Sequence, residues 1–321
     1  DLHRIEGYRN FCNKLWNAAR FVLMNCQDAD LQGPAERSLA DRWILSRTHH
    51  LLAGSQRAIE TYRFDIYAST VYDFVWHEYC DWYLELTKPL LWNEAADPAQ
   101  LRGTRRTLLA VLEILLRAAH PIIPFITESI WREVATLLGN QNPTIMLEPF
   151  PQAADLEGEV DTEAEDAIGW LKNVILGIRN IRGEASIKPG QPINVLFQGG
   201  GRRDRELATI TEDLFKRLGK VETIEWLAGA AEAPPNALAL VGDLKVMVPL
   251  AGLIDLAAEQ SRLGKEIARR EQELVRLDGK LNNPSFVEKA PEAVVAKERQ
   301  KRQDAAAALA TLQDQLRSIT G

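Results

Sequence analysis

The chain has 321 residues, 46% of them hydrophobic and 26% charged, enough apolar material for more than one packed domain. Its formal charge is −7, no apolar run approaches the ~18 uncharged residues of a membrane-spanning helix, and no signal segment opens it, so neither membrane insertion nor secretion is expected. Cys12, Cys26 and Cys80 are an odd number without Cys-x-x-Cys spacing, which argues against a disulfide framework and a structural zinc site and fits a reducing cytoplasm.

The first predicted helix covers residues 8 to 26, where Tyr8, Phe11, Leu15, Ala19, Val22 and Cys26 recur at helical spacing as a stripe to be buried. Its opposite face carries Asn10, Asn13, Lys14, Asn17, Arg20 and Phe21. No acidic residue falls between Gly7 and Gln27, although the chain has 45 of them. A second helix begins at about Ser38, where Ser38-x-x-Asp41 has the form of a capping box, and turns Trp43, Ile44, Leu51 and Leu52 inward. Residues 65 to 87 predict a third, aromatic helix (Tyr67, Tyr72, Phe74, Trp76, Tyr79, Trp82, Tyr83), ended by Pro89 and a loop at Asp97-Pro98. A fourth, from about Leu101 to Ala119, is apolar enough to be central. His120-Pro121-Ile122-Ile123-Pro124-Phe125 interrupts it, and a fifth runs from Ile126 to Leu138. The expectation for residues 1–150 is an all-helical bundle.

Residues 141 to 162 are rich in proline and acids and read as a surface linker. A helix from about Glu163 to Arg182 precedes short β-like runs at Ile193–Phe197, Val221–Trp226, Leu238–Val241 and Leu244–Val248. Gly242-Asp243 suggests a tight hairpin between the last two. With a helix at 203 to 217, residues 151–254 predict a small α/β domain.

Residues 255–321 predict an antiparallel coiled-coil hairpin. Steps of four and three from Leu256 give Leu256, Gln260, Leu263, Ile267, Arg270, Leu274, Leu277 and Leu281. Steps from Val295 give Val295, Glu298, Arg302, Ala305, Leu309, Leu312, Leu316 and Ile319. Asn282-Asn283-Pro284-Ser285 breaks the helix between them, which sets Leu281 near Val295 and Leu256 near Ile319, in limbs roughly 35 to 40 Å long. This stretch carries 12 basic and 11 acidic residues and is the least acidic part of the chain. Lys297, Arg299, Lys301 and Arg302 gather near the tip around one acid, Glu298.

The sequence holds no Gly-rich phosphate loop, metal-ligand spacing or nucleophile motif. His49-His50 are adjacent and point about 100° apart on a helix, so packed or solvated histidines are the expectation. His77 and His120 read as satisfied core histidines. Two surfaces remain. The acid-free face of the first helix offers Arg, Asn and Lys suited to base edges and phosphate, with Phe21 or Trp16 to stack on an unpaired base. The bland reading is a solvated face. The hairpin tip, with Lys280, Phe286, Lys289, Lys297, Arg299, Lys301 and Arg302, could hold a folded RNA by shape and backbone, or serve a plain coiled coil that docks another protein.

Residues 7 to 24 (Gly-Tyr-Arg-Asn-Phe-Cys-Asn-Lys-Leu-Trp-Asn-Ala-Ala-Arg-Phe-Val-Leu-Met) resemble the entry helix of the anticodon domain in the bacterial valyl-tRNA synthetase family. Phe74-x-Trp76-x-x-x-Cys80-Asp81-Trp82-Tyr83-Leu84-Glu85 and His120 to Glu128 resemble segments shared by the valine, leucine and isoleucine enzymes. Lys280-Leu281-Asn282-Asn283, Phe286-Val287, Ala290-Pro291-Glu292 and Val294 to Arg299 are similar to the valine family's C-terminal coiled coil. The isoleucine family's cysteine zinc cluster is missing. The His-x-Gly-His and Lys-Met-Ser-Lys-Ser motifs of this class do not occur, and Asp1 is not an initiator methionine. The expectation is therefore a C-terminal part without catalytic or editing domain, and without ATP–pyrophosphate exchange.

The resemblance implies a monomeric, cytoplasmic tRNA-binding region of a valine–tRNA ligase. It implies Arg9, Asn10, Asn13, Lys14, Asn17, Arg20 and Phe21 at the anticodon loop and the hairpin tip at the tRNA elbow. No cofactor or metal is expected in this chain, ATP and Mg belonging to the parent enzyme. A module that docks a partner protein through the hairpin is the alternative.

Overall fold

The computed structural model describes the chain except residues 1, 230, 232, 254–255, 284–291 and 321, together with the side chains of 2–4, 256–259, 292–293, 311, 314–315 and 318–320. Helix α1 spans Leu2–Cys26 and seats Phe11, Leu15, Ala18, Ala19, Val22 and Cys26 in the core, each 7% exposed or less. Tyr8, expected in that stripe, is 63% exposed instead. Helix α2 (Leu39–Glu60) starts where its capping box places it: the Ser38 hydroxyl accepts from the Asp41 amide, and the Asp41 carboxylate accepts from the Ser38 amide. That carboxylate is fully buried and also accepts from the Tyr83 hydroxyl (2.7 Å) and the Thr104 hydroxyl (2.6 Å), so one side chain ties three helices. Burial pushes its pKa up against the pull of those donors.

The aromatic stretch departs from the expectation in an informative way. It is one continuous helical run, α3 (Phe64–Asp73), a π-helical segment (Phe74–Tyr83) and α4 (Leu84–Leu91), which passes through Pro89. Each π turn takes one more residue than an α turn. Phe74, Tyr79 and Leu84, five apart, therefore all face the core, and the faces of α4 are displaced from those a straight α-helix would present. Helix α5 (Pro98–Ala119) begins with Asp97 as cap and Pro98 in its first turn, and buries Leu108, Leu109, Val111, Leu112, Leu115 and Leu116 completely. Each buried leucine contributes roughly 2 kcal/mol. Gly103 on α5 is obligatory, because a Cβ there would collide with the Glu36 carbonyl. Helix α6 follows (Pro124–Leu137).

The proline- and acid-rich stretch runs over the surface as expected but is fastened there. Ile145 and Ala153 are buried, the Phe150 ring meets Tyr67 edge-on at 6.2 Å, and Arg42 holds Asp161 at 2.7 Å. Helix α7 (Thr162–Glu184) continues from it. The chain divides into two compact units, residues 1–171 and 172–321.

In the second unit, strands β1 (Ile193–Gly199), β2 (Val221–Trp226), β3 (Asn236–Val241) and β4 (Leu244–Pro249) form a sheet in the order β2-β1-β4-β3. β1 and β2 are parallel, joined through α8 (Arg202–Gly219), and the remaining pairs are antiparallel. Gly242, at φ +58°, makes the expected turn between β3 and β4. Phe215 of α8 stacks on Phe197 of β1 at 5.8 Å. Arg182, near the end of α7, is 8% exposed and donates to the carbonyls of Lys188, Gln191 and Gly219, which pins the loops leading into the sheet.

The arm consists of α9 (Leu256–Leu281) and α10 (Glu292–Thr320). Leu263, Leu277, Val295 and Ala305 are buried at seam positions, whereas Arg270 and Arg302 on the same seams are exposed. Lys280 pairs with Glu298 at 3.2 Å and Asp278 with Arg302 at 2.9 Å across the limbs, which sets the two helices side by side and antiparallel, each pair displaced by up to one turn from the Leu281–Val295 register of the apolar count. Leu256 and Ile319 lie outside the described side chains.

Candidate nucleic-acid interface

With Phe11, Leu15, Ala18 and Val22 turned inward, the opposite side of α1 is open. Arg9, Asn10, Asn13, Asn17 and Arg20 are exposed, and Lys14 and Phe21 are half-buried among them. Asn10, Asn13, Asn17 and Arg20 follow one another in steps of three and four, so they form one row along the helix. Arg9 at the row's start is drawn to Glu6 at 3.2 Å. Lys14 is not a bare cation: its ammonium pairs with Asp81 and lies 3.9 Å over the centroid of Trp76. Trp76 in turn stacks on Tyr72 (5.6 Å, 13°) and Tyr72 on the buried Phe11 (5.0 Å, 23°). Lys14 thus caps an aromatic column rooted in the core.

Two residues absent from the sequence-level set belong beside this row. Lys88 of α4 places its ammonium 5.9 Å from the Phe21 ring centroid and 5.6 Å from that of Trp92, which is 67% exposed. They sit beyond the π-helical segment, so helical spacing from α3 points them elsewhere.

His77, expected in the core, is 61% exposed on its side chain and lies 3.6 Å from Asp81. His120 is half-buried against the Thr127 hydroxyl at 2.8 Å. His50 engages Glu165 at 2.8 Å. Burial pushes the Glu165 carboxyl up, but the Ser46 hydroxyl, His50 and Arg47 together hold it below the ordinary carboxylate range. Burial raises the Cys26 and Cys80 thiols to about 12, which removes them as nucleophiles. Among the described residues no group of three His, Cys, Asp or Glu side chains could hold a metal ion.

The other basic clusters are also partly engaged within the chain. A cleft of about 670 Å³ in the first unit is lined by Arg37, Arg42 and Arg106. Arg37 pairs with Glu159, Arg42 with Asp161, and Arg106 donates to the Leu31 and Gly33 carbonyls. On the arm, Lys280 and Lys301 share Glu298, and Arg302 holds Asp278. Lys297 and Arg299 are exposed, and Phe286 and Lys289 lie outside the described residues.

Comparison with known families bears on the arm and on the helices that α1 packs against. Residues 41–197 match the model of the anticodon-binding domain of tRNA ligase, and residues 255–320 match that of the valyl tRNA synthetase tRNA binding arm. The chain is a C-terminal part of a valyl-tRNA synthetase-type class I tRNA ligase. It is the tRNA-binding region of that ligase. The arm match covers the described lengths of α9 and α10. The anticodon-domain match begins at Asp41, the helical partner of the N-cap Ser38 in the α2 capping box, which also gathers Tyr83 and Thr104. Helix α1 precedes that stretch and packs against it through Phe11 and Tyr72. In this synthetase part, no described helix is long and apolar enough to cross a membrane.

Proposed function

We propose that this region grips a valine-specific tRNA at two places, the anticodon loop on α1 and the outer corner of the folded tRNA at the arm's tip. The division of labour follows 1–150 for the anticodon, 151–254 as connector and 255–321 for the elbow. The observation that carries the first assignment is the row Asn10, Asn13, Asn17 and Arg20, exposed along one side of α1 with no acid on that side between Gly7 and Gln27. Asparagine offers both a donor and an acceptor to a base edge, and arginine a planar fork. Lys14 and Phe21 flank the row, one on an aromatic column and the other beside Lys88. Such a set reads unpaired bases, whose edges and faces are open only in a loop. At the tip, Lys297, Arg299, Lys280, Lys301 and Arg302, together with Phe286 and Lys289, meet phosphate and shape. The parent enzyme, a cytoplasmic monomer in this reading, supplies ATP, Mg and the ligation chemistry from elsewhere.

The test is a filter-binding titration of the Lys14→Ala/Arg20→Ala variant against valine tRNA and a copy with an exchanged anticodon. Binding to the valine tRNA falls by about 1 to 3 kcal/mol and the discrimination between the two RNAs shrinks. Unchanged affinity for both would sink the base-reading assignment.

A further inference from the structure

Trp92 presents a large apolar ring to water where α4 ends, 67% exposed. Single exposed apolar residues are ordinary, but this one is not isolated. The Lys88 ammonium, one turn earlier and tethered to Glu85, stands 5.6 Å from the Trp92 centroid and 5.9 Å from the Phe21 centroid on α1. Two ring systems from two different helices therefore flank a single cation. The arrangement continues the acid-free side of α1, because Phe21 belongs to both.

An unpaired nucleotide is a flat π-system joined to an anion. A ring face receives the first part and an ammonium beside it receives the second. An aliphatic or acidic partner would gain from the rings or from the cation, but not from both in this order. We propose that Trp92 and Lys88 form, with Phe21, a second stacking seat for the single-stranded loop of the bound tRNA, in which a base lies on the indole and Lys88 meets the adjoining phosphate. This rests on the assignment of α1 to the anticodon loop and adds a platform on α4 that no spacing argument on α1 supplies.

The probe is a valine tRNA transcript carrying 2-aminopurine at single positions of the anticodon loop, bound to the full chain, with Trp92→Ala, Trp92→Phe, Lys88→Gln and Phe21→Ala as variants. Stacking on the indole quenches the fluorophore at one position. Trp92→Ala abolishes that quench and weakens binding about tenfold. Trp92→Phe recovers most of both, and the exposed site leaves the unfolding temperature unchanged. Lys88→Gln keeps the quench and lowers the salt slope by about 0.7, one phosphate on a single strand. If Phe21→Ala weakens binding while Trp92→Ala matches wild type at every labelled position, the seat is refuted and the α1 assignment stands. If both variants are silent, the seat is refuted, and Lys14→Ala/Arg20→Ala decides the α1 assignment: weakened binding keeps it, unchanged binding ends it. A Trp92→Ala defect confined to self-association overturns the RNA seat in favour of a protein contact.

Discussion

Lys14 shows how much a residue's role depends on what stands behind it. Its position on the open side of α1 was legible from helical spacing alone, and so was the inward turn of Phe11. What spacing could not reveal is the column Phe11, Tyr72, Trp76 that ends under its ammonium, because Tyr72 and Trp76 come from elements 50 residues and more away. Nor could it reveal Asp81 as a competitor for the same charge. A cation held over an indole and beside a carboxylate gives up side-chain freedom before RNA arrives, so less is lost on binding. If Lys14 meets the tRNA as proposed, Trp76 is a positioning residue. In a double-mutant cycle, Trp76→Leu and Lys14→Met are expected to couple by about 0.5 to 1 kcal/mol in tRNA affinity. Additive effects would mean that the indole does not orient the lysine. Tyr8 shares the spacing of the buried stripe but is 63% exposed, because helical spacing assigns a side of the helix and not how far along it the core reaches.

At the level of elements, the arm was the most readable part and the aromatic helix the least. A seven-residue apolar repeat specifies a limb and its partner face, and a proline between two limbs of equal length specifies a hairpin. The π-helical segment leaves no such trace, since it is a change of hydrogen-bond register inside a continuously helical composition. It moved Lys88 and Trp92 out of the set that spacing could collect. The arm's own surprise is electrostatic. Glu298 occupies a seam position, 8% exposed, where Lys301 and Lys280 donate to it and hold its carboxyl below the ordinary range. A folded pKa below the unfolded value means stability that is present above the usual glutamate pKa of ~4.3 and lost as pH falls through the depressed folded value. Thermal unfolding of wild type against Glu298→Gln therefore shows wild type more stable at pH 7, with the gap closing below about pH 4. A gap that is constant down to pH 3 would mean the two lysines do not act through the charge. The same variant leaves Lys280 and Lys301 without that counter-charge, and its tRNA binding acquires a steeper salt slope.

For the whole chain, a net charge of −7 sets a condition on any grip on RNA: the attraction must be local, because the average field repels a polyanion. The two proposed surfaces would meet it in different ways, α1 by excluding acids from one side and the arm by leaving Lys297 and Arg299 exposed beside neutralised neighbours. Two modest contacts on one molecule act together because the second forms at the effective concentration set by the first. An isolated anticodon stem-loop, which on the proposed assignment occupies only the α1 side, is thus expected to bind at least about 10²-fold more weakly than the intact tRNA at equal salt. Lys297→Gln/Arg299→Gln reduces the salt slope for intact tRNA by about 1.8, two phosphates' worth, and leaves stem-loop affinity where it was. Lys14→Ala/Arg20→Ala weakens both RNAs. Equal affinity for stem-loop and intact tRNA, or arm substitutions that weaken the stem-loop as much as the whole, would show that the two surfaces do not hold one tRNA at once.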